Sequence, residues 1–103
     1  MRYLSFHFAF LLFSTLVVSR DSDLYKIDHL EPPFWWVGMK DSSLQLMVHG
    51  ENISDLQPEI VYAGVSINAI HKIKNPNYLF IDLIILDTTE PGSFNIIFKK
   101  KHK

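Results

Sequence analysis

The chain has 103 residues, enough for one domain, and a formal net charge of -1. Because this balance leaves no basic stripe to neutralise phosphates, the composition argues against nucleic acid as a partner. Cysteine is absent, which excludes disulfides, thiolate metal sites and cysteine nucleophiles. Packing and backbone pairing must therefore hold the fold together.

Residues 1–19 have the pattern of a secretory signal peptide. Arg2 supplies a short positive start, residues 4–18 are almost wholly apolar, and Ser19 ends the run with a small residue where cleavage needs one. The run is shorter than the about 20 apolar residues of a membrane-spanning helix and contains polar residues. We therefore expect a cleaved signal, a periplasmic or secreted product with no stable membrane span, and a linker over residues 20–26.

Residues 27–103 carry the patterns of short β-strands. These patterns occur over residues 27–32, 44–50, 60–67, 70–73, 78–86 and 94–98. Apolar and polar residues alternate in the second and last of them, as in half-buried strands. Gly64 marks a bulge, a bend or a tight turn. The Asn-Pro-Asn run at 75–77 and the Glu-Pro-Gly run at 90–92 are strong turn signals.

Residues 78–86 predict a central strand, because they are apolar on both faces except at Asp82. The side chains expected to face the core are Leu79, Ile81, Leu83 and Ile85. Asp82 interrupts the strand, so we expect it to meet the edge of the fold or a hydrogen-bond donor. Six or seven such strands with no helical period predict an all-β fold, an antiparallel β-sandwich of about seven strands and of immunoglobulin-like type.

The most distinctive stretch reads Pro-Pro-Phe-Trp-Trp-Val-Gly-Met-Lys over residues 32–40 and is followed by Leu-Gln-Leu-Met at 44–47. The proline pair fixes φ and keeps the approach to Phe34 extended. This combination resembles the N-terminal domain of bacterial cyclomaltodextrinases and neopullulanases of the α-amylase superfamily. The resemblance extends from about residue 27 to residue 98.

The resemblance implies an immunoglobulin-like domain that precedes a (β/α)₈ catalytic barrel. Enzymes of this family hydrolyse O-glycosyl bonds in starch-type α-1,4-glucans, cyclodextrins and pullulan, using carboxylates of the barrel. We expect these 103 residues to include no catalytic residue and to be inactive alone. The implied partner is the barrel in cis, and in the family this module shapes substrate access or helps to form a homodimer.

Four aromatic residues are candidates for contact with carbohydrate or with a neighbouring domain: Trp35, Trp36, Tyr62 and Tyr78. Flat aromatic rings can stack on glucose. Alternatively, because neighbouring residues of a strand face opposite ways, one tryptophan points into the core and the other packs against another domain. Both interpretations remain open at this point.

The histidines at 29, 49 and 71 lie in separate strand-like segments, without the close spacing of a local metal motif. We therefore expect no metal and no other cofactor. Two further functions stay open beside the enzyme module. One is a free-standing carbohydrate-binding protein, and the other is a scaffold that self-associates through an exposed edge strand.

Overall fold

The computed structural model describes residues 2–11 and 26–100. The described residues form eight β-strands and no helix. The strands are β1 (Tyr3–Leu11), β2 (Lys26–Glu31), β3 (Phe34–Trp36), β4 (Ser43–Glu51), β5 (Gln57–Glu59), β6 (Val65–His71), β7 (Tyr78–Ile85) and β8 (Gly92–Lys99). In this part of the chain, therefore, no helix has the length and hydropathy needed to cross a membrane.

The strands form two four-stranded sheets that share one hydrophobic core. The first sheet has the order β3-β1-β8-β5, and the second has the order β2-β4-β7-β6. This arrangement confirms the all-β prediction. The expectation of a wholly antiparallel fold is wrong, because β1 runs parallel to β8 over eight paired positions from Leu4 with Gly92 to Leu11 with Lys99.

The core lies between the inner faces of the sheets, where strand alternation places the apolar side chains. The four predicted core residues of β7 are all buried, and so are Leu46 and Val48 of β4. In β8 the buried residues are Phe94, Ile96 and Phe98. These assignments follow from the two-residue period of a strand and are confirmed.

β1 is the main departure from the sequence-based expectation, which began the fold at residue 27. Leu4 is fully buried, and the ring of Phe6 packs edge-to-face on Phe94 with the centroids 5.4 Å apart. The described part of the apolar run that resembles a signal peptide is therefore a strand with two buried side chains, Leu4 and Phe6, while Phe8 is exposed. The expected cleavage position and residues 20–25 of the expected linker lie outside the described residues, while Lys26 begins β2.

The strand expected over residues 60–67 is divided differently. β5 ends at Glu59, and the chain then turns at Gly64, whose φ is +94°, before β6 begins at Val65. A φ in this region strongly favours glycine, so Gly64 marks a tight turn. Pro58 is accommodated within β5 because that strand is an edge of the first sheet.

Candidate functional site

An aromatic patch covers the outer face of the first sheet where β1 meets β3. It consists of Tyr3, Phe34 and Trp36, and we call it the outer aromatic patch. The ring centroids are 5.6 Å apart for Tyr3 and Phe34, 6.3 Å for Tyr3 and Trp36, and 6.1 Å for Phe34 and Trp36. All three pairs meet edge-to-face, a favourable arrangement for aromatic rings. Tyr3 and Phe34 remain exposed and Trp36 is half-buried.

Trp35 lies on the opposite face of β3, as alternation requires. It pairs across the sheet with the buried Leu4 and packs against the hydrophobic core. Its remaining surface borders an open groove of about 830 Å³ that also touches Glu31 and Met47. The two adjacent tryptophans therefore belong to different surfaces, one inward and one outward.

The two candidate tyrosines are in other parts of the fold. Tyr62 stacks on Phe94 with the ring centroids 4.7 Å apart, and its hydroxyl donates to the carbonyl oxygen of Glu90 at 2.7 Å. Tyr78 is on β7 of the second sheet, where its ring meets His49 at 4.7 Å. The four aromatic candidates consequently do not converge on one binding surface.

A second feature, on the outer face of the second sheet, is the cluster of Asp28, His29 and His49. His29 of β2 is paired directly with His49 of β4, and the register shifts between Ile27 and His29. This irregularity leaves Asp28 as an extra residue in β2, the arrangement of a β-bulge, in which two residues oppose one. The bulge brings the carboxylate of Asp28 beside both imidazole rings.

The cluster is held by hydrogen bonds to a single carboxylate oxygen. Asp28 Oδ1 lies 2.7 Å from Nδ1 of His49 and 3.1 Å from Nδ1 of His29. Because an ionised carboxylate only accepts, both rings donate from Nδ1 here. The hydrogen bond from His49, reinforced by that from His29, lowers the pKa of Asp28.

Sequence spacing did not reveal this cluster. The three histidines do lie in separate strands, but antiparallel pairing of β2 with β4 brings together His29 and His49, which are 20 residues apart. The strand pattern of the sequence could have indicated the cluster, since both histidines lie near the ends of strands that become neighbours. The bulge at Asp28 has no comparable signature in the sequence. His71 is on β6, where it meets Asp82 instead.

Asp82 meets hydrogen-bond donors, one of the two environments that the sequence predicted for it. His71 Nε2 lies 2.6 Å from Asp82 Oδ2, and Gln45 donates from Nε2 to Asp82 Oδ1 at 2.8 Å. The hydrogen bond with His71 has the larger effect and that with Gln45 the smaller, and both lower the pKa of Asp82. The residue therefore joins three strands of the second sheet rather than standing alone on an apolar strand.

These surfaces differ in what they can do chemically. The outer aromatic patch offers apolar contact area to another surface. The cluster of two imidazoles and a carboxylate offers donor atoms that suit a transition-metal dication. Asp82 and its two donors are mutually satisfied and link neighbouring strands.

Comparison with known protein families matches residues 29–103 to the family described as "Cyclomaltodextrinase, N-terminal". The match covers more than half of the chain and spans the tryptophan pair, β4, β7 and the last strand. β1 precedes it. The suspected resemblance is thereby confirmed, and the chain belongs to the cyclomaltodextrinase N-terminal domain family.

Proposed function

We propose that this chain is the non-catalytic N-terminal module of a secreted glycoside hydrolase of the cyclomaltodextrinase or neopullulanase type, which hydrolyses O-glycosyl bonds of α-glucans. The module packs on the catalytic barrel that follows it in the parent enzyme. The family membership and the outer aromatic patch support this proposal. Fold alone would not support it, because β-sandwich folds serve many unrelated functions.

The ring geometry of the outer aromatic patch favours a protein partner over a sugar. Its three pairs of rings are inclined by 66° to 82°, so the patch presents ring edges together with faces. A chain of glucose units stacks best on ring faces that lie flat, whereas a protein surface can fill the spaces between inclined rings. The barrel is therefore the partner that fits this surface.

Secretion changes what the patch exposes. Cleavage after residue 19 removes β1, the strand that pairs with β3 along its length and contributes Tyr3 to the patch. Phe34 and Trp36 then become more exposed, and so does the inner face of Phe94. In the mature enzyme we expect the barrel to cover the surface that β1 covers in the uncleaved chain.

Two observations on the gene and its product test the assignment. The nucleotide sequence beyond the codon for Lys103 should continue in frame into a barrel with the catalytic Asp and Glu of the family. Mass spectrometry of the exported product should give a chain that begins after residue 19. A frame without a barrel contradicts the enzyme module, and an exported product that retains Met1 contradicts the cleaved signal.

Docking on the barrel is tested with Trp36→Ala in the mature full-length enzyme and in an isolated chain that likewise begins at residue 20, so that Tyr3 is absent from both. If Trp36 docks on the barrel, the substitution lowers the unfolding midpoint of the full-length enzyme more than that of the isolated chain. Val61→Ala is the matched control, since Val61 is apolar and 83% exposed but belongs to no aromatic cluster. Equal effects of Trp36→Ala in both proteins would contradict docking.

The groove beside Trp35 favours a second function, binding of carbohydrate by the module itself. It is long enough to touch both prolines at 32 and 33 as well as Glu31. Titration with maltooligosaccharide should then shift the tryptophan fluorescence saturably, and Trp35→Phe should weaken binding more than Trp36→Phe. An unchanged spectrum at saturating sugar would leave barrel docking as the function.

A further inference from the structure

We propose that Asp28, His29 and His49 form a binding site for a divalent transition-metal ion of the zinc class. One potential ligand atom from each residue lies within 4.8 Å of the other two. This inference is independent of the enzyme module proposed above, because it depends only on the pairing of β2 with β4.

The donor set selects the class of metal. Two imidazole nitrogens and one carboxylate oxygen suit Zn²⁺ and its neighbours, whereas Ca²⁺ and Mg²⁺ prefer all-oxygen sites. Three protein ligands also match the open type of zinc site, in which water completes the coordination. The cluster is on the surface, where water has access to that position.

The distances are close to those that a metal requires. With bonds of about 2.0 to 2.1 Å, ligand atoms of a tetrahedral zinc site lie about 3.3 Å apart. The separations from Asp28 Oδ1 are 2.7 Å to His49 Nδ1 and 3.1 Å to His29 Nδ1. The ligand atoms of His29 and His49 lie within 4.8 Å of each other, so side-chain shifts on the order of 1 Å would bring all three separations to the values of a zinc site.

The tautomer that the two rings adopt here does not prevent binding. Each ring now carries a proton on Nδ1, but a neutral imidazole can carry it on Nε2 instead. That tautomer leaves the Nδ1 lone pair free to replace the hydrogen bond to Asp28 with a bond to the metal.

The backbone holds the three ligands while their ends remain adjustable. His29 and His49 are direct partners in the β2–β4 ladder, and the bulge fixes Asp28 beside them. The ring of His49 also rests on Tyr78, and its side chain is 32% exposed. The side chains of Asp28 and His29 are 58% and 60% exposed, so they can move to meet an ion.

The test is titration of the untagged 103-residue chain with Zn²⁺ alone, followed by calorimetry, and with Co²⁺ alone, followed by visible absorption. We expect one ion per chain and the intense absorption of four-coordinate Co²⁺. Asp28→Asn, His29→Gln and His49→Gln should each weaken binding about tenfold or more, given that even outer-shell changes cost about 10- to 100-fold.

The matched control is the double variant His71→Gln with Asp82→Asn, which removes another imidazole and carboxylate from the same sheet. It should bind Zn²⁺ as the wild type does. Equal binding by all the variants, loss of binding in this control, or no binding by the wild type would overturn the proposal. Far-UV circular dichroism establishes that each variant is folded.

A measurement on the wild-type chain does not depend on any variant. Addition of Zn²⁺ should shift the imidazole nitrogen resonances of His29 and His49 and leave those of the other three histidines, His7, His71 and His102, in place. Shifts confined to these three histidines would place the ion elsewhere and overturn the proposal.

Discussion

His71 and Asp82 are joined across β6 and β7 by a contact of 2.6 Å between Nε2 and Oδ2, while Gln45 donates to the other carboxylate oxygen from β4. Asp82 thus connects its own strand to both neighbours on the outer face of the second sheet. Because both of its carboxylate oxygens have hydrogen-bond partners, Asp82 can occupy the middle of an otherwise apolar strand.

The first prediction concerns the pH dependence that Asp82 gives to stability. Its pKa is lowered in the folded state, mainly by His71. The unfolded state consequently binds more protons in this range, and stability rises with pH. The contribution is complete above the unfolded pKa of about 3.9 and is lost as the pH falls through the lower folded pKa.

Urea unfolding of the wild type and of Asp82→Asn across this range measures the effect. The wild type should be the more stable near neutral pH, and the difference should shrink below about pH 4. Asp87→Asn, in an exposed turn, is the control. A difference between wild type and Asp82→Asn that is constant with pH would show that the carboxylate charge is not responsible.

The second prediction contrasts two glycines that share a positive φ. A Cβ added to Gly64 would collide with Oγ1 of Thr89, a residue 2% exposed, whereas a Cβ on Gly38 would meet nothing within 4 Å. Gly38→Ala should cost about 1 to 2 kcal/mol from the backbone alone. Gly64→Ala should cost about 1 to 3 kcal/mol more, because overpacking is added.

Denaturant unfolding of both variants measures the two losses. Thr89 Oγ1 also contacts the carbonyl oxygens of Gly64 at 3.1 Å and Leu86 at 2.6 Å, so it has little freedom to move away. Equal losses of unfolding free energy for Gly64→Ala and Gly38→Ala would mean that Thr89 can move away from the added Cβ without destabilising the fold.

The third prediction concerns β1. Leu4 is fully buried between the sheets, so Leu4→Ala in the 103-residue chain should lower the free energy of unfolding by about 2 to 5 kcal/mol. A chain that begins at residue 20 should be destabilised further, since it also loses Phe6 and the pairing with β8. Ser5→Ala, on the outward side, is the control and should have little effect.

Thermal unfolding of the three proteins and the wild type makes this comparison. Equal stability of the truncated and complete chains would show that β1 adds nothing to the fold. If attachment of the barrel restored the stability of the truncated module, that result would agree with the proposed docking surface.

The fourth prediction separates packing from sugar binding at Tyr62. Its hydroxyl donates to the carbonyl oxygen of Glu90, and its ring stacks on Phe94. Tyr62→Phe keeps the ring and should cost about 0.5 to 1.5 kcal/mol for the lost hydrogen bond. Tyr62→Ala should cost more, while neither variant should alter a maltooligosaccharide titration. A weakened titration with unchanged stability would assign Tyr62 to the sugar.

The sequence predicted the parts of the fold that follow from local pattern. β7 was predictable because Leu79, Ile81, Leu83 and Ile85 alternate between two turn signals, and burial depends directly on that alternation. A hydrogen-bond donor for Asp82 was one of the two expected outcomes, since a carboxylate without a partner is costly on an apolar strand.

The remaining features depend on which strands become neighbours. An apolar segment at the start of a chain satisfies the requirements of a signal peptide and of a strand with one buried face equally, so β1 could not be inferred. The cluster at Asp28 depends on one bulge, and a shift of register by one residue would have placed His29 on the other face of the sheet. No local residue preference determines that register.

The edges of the two sheets have a consequence for association between molecules. Among the described strands, four lie at the edges of the two sheets: β2, β3, β5 and β6. The register is broken in β2 at residues 27–29 and in β6 at residues 67–69. β5 contains Pro58, and β3 has only three residues. Such edges are poor templates for an incoming strand. Strand addition is therefore disfavoured while β1 is in place, and a homodimer of that uncleaved chain would form through side chains on its faces. Cleavage after residue 19 would remove β1 and leave β8, with eight residues, as an edge strand.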